Sequence, residues 1–225
     1  MFISAFCLYA ITVEDTASFW DCGEFIAVSN KLEVPHPPGA PLYLLLGRIF
    51  SFFAFGNLEK ISVAINFLSV LTSAFTILFL FWTITHLSKK IIEVNNNLNL
   101  ILVISSGIVG SLSYTFSDSF WFSAVEAEVY AMSSFFTAFV FWGILKRENI
   151  KEKSKKNRWI ILIAYMMGLS IGVHLLNLVT IPALALIVYF NEKKDMDIKG
   201  IIYTLLISSA IIMIIMVGII PGIPT

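Results

Sequence analysis

Residues 61–87 read ISVAINFLSVLTSAFTILFLFWTITHL and hold no Asp, Glu, Lys or Arg. An apolar run of about 20 residues or more is the signature of a helix that crosses a bilayer. Working outward in windows of about 19 residues, further apolar segments fall at 98–116, 130–145, 159–175, 177–190 and 201–220, with a short one at 1–13. Only His174, Asn177 and Pro182 mark the break between 159–175 and 177–190. Composition agrees: 58% of the chain is hydrophobic and 13% charged, where a soluble domain carries roughly 25% charged residues, and mean hydropathy is +0.86. The expected fold is all-α, a polytopic transmembrane helical bundle forming one domain over 1–225. The net charge of zero gives no footing for nucleic acid. Cys7 and Cys22 read as small packing residues, with no disulfide and no zinc spacing.

The run 1–13 is too short to span and lacks a basic n-region or a small-residue cleavage site, so it is not a signal peptide. It reads as the second half of a helix. The chain also stops inside apolar sequence, Gly218 to Thr225. These two ends predict an N-terminal fragment of a longer membrane protein, inactive alone.

Charge sets the sidedness. Lys146, Arg147, Lys151, Lys153, Lys155, Lys156 and Arg158 crowd one loop, Lys89 and Lys90 a second, and Lys193, Lys194 and Lys199 a third. By the positive-inside rule these loops are cytoplasmic. Residues 13–37 carry Glu14, Asp15, Asp21, Glu24 and Glu33 against Lys31 alone, and 117–128 carries Asp118, Glu126 and Glu128 and no basic residue; both should face outward, the first within an outer-face loop with surface helices over 14–60. This holds only if the apolar stretch 40–55, which contains Arg48, does not cross. It is therefore expected to lie along the outer surface or to be re-entrant.

The unusual polar groups then share one side. Asp21 and Glu24 stand three apart, on one face of a helix, with Thr16 as its N-cap and Phe19, Trp20, Phe25 and Ile26 as its apolar face. Apolar neighbours should raise their pKa and favour base chemistry; the alternative is a pair of solvated carboxylates. His36-Pro37-Pro38-Gly39 cannot be helical, because proline lacks the amide donor and restricts its predecessor. It forms a stiff elbow that presents an imidazole. Arg48 suits a phosphate or a lipid headgroup. Glu126 and Glu128, two apart, would point about 200° apart on a helix, so only one of them should face a cavity; both also suit a helix N-terminus. His174 and Asn177 lie at the third outer turn, as ligands or as a helix–helix hydrogen bond.

Phe19-Trp-Asp-Cys-Gly-Glu-Phe25, followed by His36-Pro-Pro-Gly-Ala-Pro-Leu-Tyr-Leu44, resembles the bacterial and animal membrane proteins related to protein O-mannosyltransferases, many of them catalogued only as a domain of unknown function. Trp121 to Tyr130 and Gly172-Val-His-Leu-Leu-Asn177 look like further segments of that family, so the resemblance runs through the chain. It implies a GT-C glycosyltransferase whose first outer loop carries the catalytic acids, here Asp21 and Glu24. It implies a polyprenyl-phosphate sugar as donor, with no cofactor and no metal. The chain departs from the pattern at Asp15, where the family would have Pro, and Glu14-Asp15 stands as a rival pair.

The expected function is transfer of a hexose, mannose by resemblance, to Ser or Thr hydroxyls of exported proteins at the outer face of a bacterial inner membrane. Asp21 would act as base and Glu24 would orient. His36, Arg48, Glu126, Glu128, His174 and Asn177 would hold substrate or lipid phosphate. The competing classes are a transporter or lipid flippase, which calls for broken helices with buried polar groups, and a non-catalytic membrane scaffold.

Overall fold

The computed structural model describes residues 1–193 and 197–220. Lys194, counted above among the cytoplasmic charges, and the apolar tail over 221–225 lie outside the described residues. All regular structure among them is helical: α1 (Phe2–Ile11), α2 (Cys22–Lys31), α3 (Pro41–Ser51), α4 (Ile61–Ile91), α5 (Asn97–Thr115), α6 (Asp118–Val125), α7 (Val129–Glu148), α8 (Lys153–Ile171), α9 (Thr180–Glu192) and α10 (Ile198–Met213), with short 3₁₀ turns at Phe52–Ala54, Leu58–Lys60 and Leu175–Val179. The protein is a polytopic helical bundle. Among the described residues, five segments are long and apolar enough to cross a membrane: Leu58–Ile91, Asn97–Thr115, Val129–Glu148, Leu175–Glu192 and Ile198–Ile219. Helix α8 falls outside that set because Lys155, Lys156 and Arg158 charge its first turns. Helix α1 is apolar but short.

Helix α4 is the axis, and α1, α3, α5, α6 and α7 all pack against it. Its buried positions Ile65, Ser69, Val70, Ser73, Ala74 and Ile77 fall on more than one face, which is why it reads as apolar all round. The α4–α5 contact is close: a Cβ on Gly107 would stand 2.5 Å from Thr85 Cγ2 and 2.9 Å from the Phe81 ring. Gly107→Leu should therefore overpack this seam and cost about 1–3 kcal/mol, seen as a lower thermal midpoint in detergent. An unchanged midpoint would mean that α5 is free to move aside.

Helix α3 has 11 residues, about 16 Å of rise, against the roughly 30 Å of a bilayer core. By length it is too short to span alone. It packs on α2 and α4, and Leu45, Ile49, Phe52 and Phe53 remain exposed. Its first turn is tied to the end of α8, where the Leu42 amide donates to the Gly172 carbonyl at 2.8 Å. The loop 14–16 is tied to α4: the Asn66 amide donates to the Glu14 carbonyl at 2.7 Å, and the Ser62 hydroxyl to the Asp15 carbonyl at 3.0 Å.

At the far ends of α4, α7 and α9 a second polar cluster forms. Glu148 takes the Lys90 ammonium, lies 3.5 Å from His86 Nε2 and accepts from Asn191 at 2.9 Å, while Arg147 pairs with Glu192 at 2.7 Å. Asn66 and Lys90 are about 36 Å apart along α4 at 1.5 Å per residue. The basic cluster and the acidic loops thus sit at opposite ends of the bundle.

Candidate active site

Helix α2 starts later than the sequence pattern suggested. Trp20 has φ 64°, a left-handed conformation that a helix cannot continue through. Asp21 is itself the N-cap, and its side chain makes no capping bond. Thr16, expected as the cap, instead donates to Glu14 Oε1 at 3.1 Å. The Asp21 carboxylate is therefore left free of the helix end, while Glu24, in the first turn, faces the elbow.

The elbow closes on these acids. Gly39, at φ 80°, lets its amide return to the His36 carbonyl at 3.0 Å, and the Pro37–Pro38 bond is cis. The His36 backbone amide donates to Glu24 Oε1 at 2.7 Å, and its Nδ1 lies 2.8 Å from Glu24 Oε2. Both Glu24 oxygens are thereby committed to His36, and His36 Nε2 is turned toward Asp21 Oδ2 at 3.9 Å. These bonds hold Glu24 below the usual carboxylate range, against the upward shift expected from its apolar neighbours, and raise the His36 pKa. Ligand atoms of Asp21, Glu24 and His36 lie within 4.8 Å of one another, so by position the trio could hold a cation.

The 126–128 segment comes to the same place. Cys22 is fully buried against Ile65 and Ala127, which pins the start of α2 beside this segment; both cysteines are free. Glu126 and Glu128 are not helical. Their backbones are extended, at φ −131°, ψ 163° and φ −129°, ψ 147°. Between them the chain turns tightly at Ala127, where the Glu128 amide donates to the Glu126 carbonyl at 2.9 Å, and both residues line one cavity, correcting the expectation of one. That cavity, of about 300 Å³, is walled by Trp20, Asp21, Phe122, Ser123, Glu126, Glu128 and Tyr130. Glu126 is 1% exposed and Glu128 4%, and the Oε1 of each has no partner. Burial pushes both up to about 7, aided for Glu126 by the charges of Glu128 and Glu14 and for Glu128 by that of Asp21.

A smaller cavity of about 70 Å³ adjoins it. Asp21, Glu128 and Tyr130 line both, and His36, Gly39 and His174 line the smaller one. His174 arrives because Leu42 holds Gly172. Its Nδ1 accepts from the Leu176 amide at 3.2 Å, so Nε2 carries the proton, and burial lowers its pKa.

Two expected site residues are not brought there. Arg48 binds the Asn30 carbonyl and, at 3.0 Å, Asn30 Oδ1, and it lies 4.7 Å from the Phe52 ring centroid. Asn30 is nine residues beyond Asp21, about 13 Å along α2; Arg48 locks α3 to the far end of α2. Asn177 is 2% exposed. Its Oδ1 accepts from Ser133 at 2.9 Å and Thr137 at 3.0 Å, the helix–helix bond named above as its alternative. Asn177→Leu should cost about 1–3 kcal/mol by orphaning two hydroxyls, lowering the thermal midpoint while leaving substrate KM unchanged. A shifted KM would return Asn177 to the site. Asp15, of the rival acidic pair, lines a separate cavity with Phe50, Lys60 and Phe67. Sequence reading passed over Trp20, Phe122 and Tyr130 as cavity walls; their only signal was aromatic residues crowded beside the acidic motifs.

Comparison with known proteins sets this geometry in a family. The chain is 28% identical over 206 residues to the "Protein O-mannosyl-transferase tmem260" of Dictyostelium discoideum, covering 87% of this chain and 24% of that protein. It is 25% identical over 172 residues to the "Protein O-mannosyl-transferase TMEM260" of Mus musculus, covering 76% and 22%. The chain thus spans about a quarter of the length of these curated relatives. Both are eukaryotic, so they give no support to a bacterial inner membrane. No solved structure matches. A family model described as the Protein O-mannosyl-transferase TMEM260 N-terminal domain matches residues 21–197, from Asp21 through both acidic loops and the His174 turn, and the chain belongs to that family.

Proposed function

We propose that this chain carries the acidic catalytic loop of a membrane mannosyltransferase, which moves mannose from a polyprenyl-phosphate carrier to Ser or Thr hydroxyls of proteins on the non-cytosolic face. The observation that carries the reading is the convergence of Asp21, His36, Glu126, Glu128 and His174 on two adjoining cavities at the bundle end away from the basic cluster, with Glu24 bonded to His36 behind them. The mannose and the protein acceptor rest on the printed names of the relatives.

Asp21 accepts the proton of the acceptor hydroxyl as its oxygen attacks the anomeric carbon. The bond from that carbon to the phosphate oxygen breaks, and its electron pair leaves with the polyprenyl phosphate. A phosphate monoester is a good leaving group, so no general acid is required. The transition state is oxocarbenium-like, and single displacement inverts the anomeric centre. Glu24 works through His36: its two hydrogen bonds fix the ring with Nε2 toward Asp21. His36 and His174 supply N–H donors for the growing phosphate charge. Arg48, occupied at the far end of α2, has no part in it. We assign no metal, because both Glu24 oxygens are already committed to His36.

The test is label transfer. The full-length protein in membranes, given labelled polyprenyl-phosphate mannose and a Ser/Thr-bearing protein, should yield labelled protein from which base-catalysed β-elimination releases the sugar. Labelling from GDP-mannose alone, in membranes free of the lipid-linked sugar, would reject the lipid donor.

A further inference from the structure

The larger cavity has a composition that the transfer chemistry alone does not call for. Trp20, Phe122 and Tyr130 stand around it with 84%, 45% and 49% of their surface exposed. Glu126 and Glu128 line the same cavity, 1% and 4% exposed, and the Oε1 of each has no partner. Buried polar groups are nearly always hydrogen-bonded, so two buried carboxyl groups that line one cavity, each with an acceptor unmet, favour a ligand that carries donors. A phosphate would meet two carboxylates there and be repelled. An apolar lipid tail would leave both acceptors unmet. A pyranose satisfies both sides, with a C–H face for the aromatic rings and several O–H donors for the acids, the mixture usual in small-molecule sites.

We propose that the cavity between Trp20, Phe122, Tyr130 and the Glu126–Glu128 pair is the monosaccharide subsite. The sugar ring stacks on the aromatic walls and its hydroxyls donate to the two carboxylates. Asp21 and Glu128 line both cavities, so the anomeric carbon lies at the shared wall and the phosphate on the His36–His174 side. This rests on the sugar-transfer reading above, and goes beyond it by placing the ring.

Two measurements on the purified full-length protein test it. The first is saturation-transfer difference NMR with methyl α-mannopyranoside; the second is the KM for polyprenyl-phosphate mannose and, separately, for the acceptor protein. The wild type should show ring-proton signals that Trp20→Ala and Glu126→Leu abolish. Both variants should raise the donor KM about tenfold and leave the acceptor KM unchanged. Trp20 is exposed, so its variant folds even where the Glu126 one does not. A rise in the acceptor KM alone would overturn the inference and leave the transferase reading standing. So would Trp20→Ala with unaltered signals and donor KM, which would make Trp20 an interface aromatic. Sugar binding lost in both variants, in a protein that transfers no label, would uphold the subsite and reject the transferase.

Discussion

Asp21→Asn in the full-length protein is expected to lower mannosyl transfer by about 10²–10⁴, the range that a positioned general base supplies. The substitution is nearly isosteric. Asp21 is the N-cap of α2 without a capping bond from its side chain, and Asn serves equally well at that position. Folding should be intact, and the loss should fall on the chemical step. Asp15→Asn provides the contrast, since Asp15 lines a cavity with Phe50, Lys60 and Phe67 instead; its rate should stay at the wild-type level. Label-transfer rates at matched protein amounts decide between them. An Asp21→Asn protein that expresses normally and transfers normally would remove Asp21 from the role of base, and a collapse in Asp15→Asn would move the chemistry to the rival pair.

The protein should be less stable at pH 8 than at pH 5, by a few kcal/mol. Glu126 and Glu128 sit near 7 in the folded state against an ordinary 4.5. Between those values the folded chain keeps a proton that the unfolded chain has released, so stability falls as pH rises through that window and levels off above about 7. A tenfold difference in proton affinity between the two states corresponds to about 1.4 kcal/mol. His36, whose pKa is raised by Glu24, acts in the same direction: its stabilisation is present below its ordinary value and lost as pH rises through the folded one. That contribution is small because the pair is exposed. Glu24, held low by His36, acts oppositely, and only as pH falls below the ordinary carboxylate range. Thermal midpoints in detergent at the two pH values should differ for the wild type. The Glu126→Gln/Glu128→Gln double variant should lose most of that difference. An equal drop in both proteins would mean that the cavity is open to water and the carboxylates are solvated.

Much of this was legible in the chain. Hydropathy is a local property, so the runs at 61–87, 98–116, 130–145 and 177–190 appear as helices within a few residues of their expected ends. The elbow His36-Pro37-Pro38-Gly39 was equally local, since proline and glycine constrain their own backbones. Asp21, Glu24 and His36 could be singled out because charge beside a membrane is costly and therefore conspicuous. Arg48 and Asn177 were conspicuous for the same reason and yet serve packing. Nothing within a few residues of Arg48 announces Asn30 as its partner, and nothing near Asn177 announces Ser133 and Thr137.

Glu126 and Glu128 show where local reading stops. Two carboxylates at that spacing diverge on a helix and can share a cavity where the chain leaves the helix, and periodicity across a short break between helices cannot choose. The choice was made where Ala127, at the turn closed by the Glu128 amide on the Glu126 carbonyl, packs with Cys22 of α2 and Ile65 of α4. The sequence alone determined that this chain is a helical membrane bundle with an acidic loop, because burial of apolar runs and the rigidity of proline act within a few residues. Tertiary packing alone decided which of the conspicuous polar groups meet, because their partners lie tens of residues away and only the closed bundle brings them within hydrogen-bonding reach.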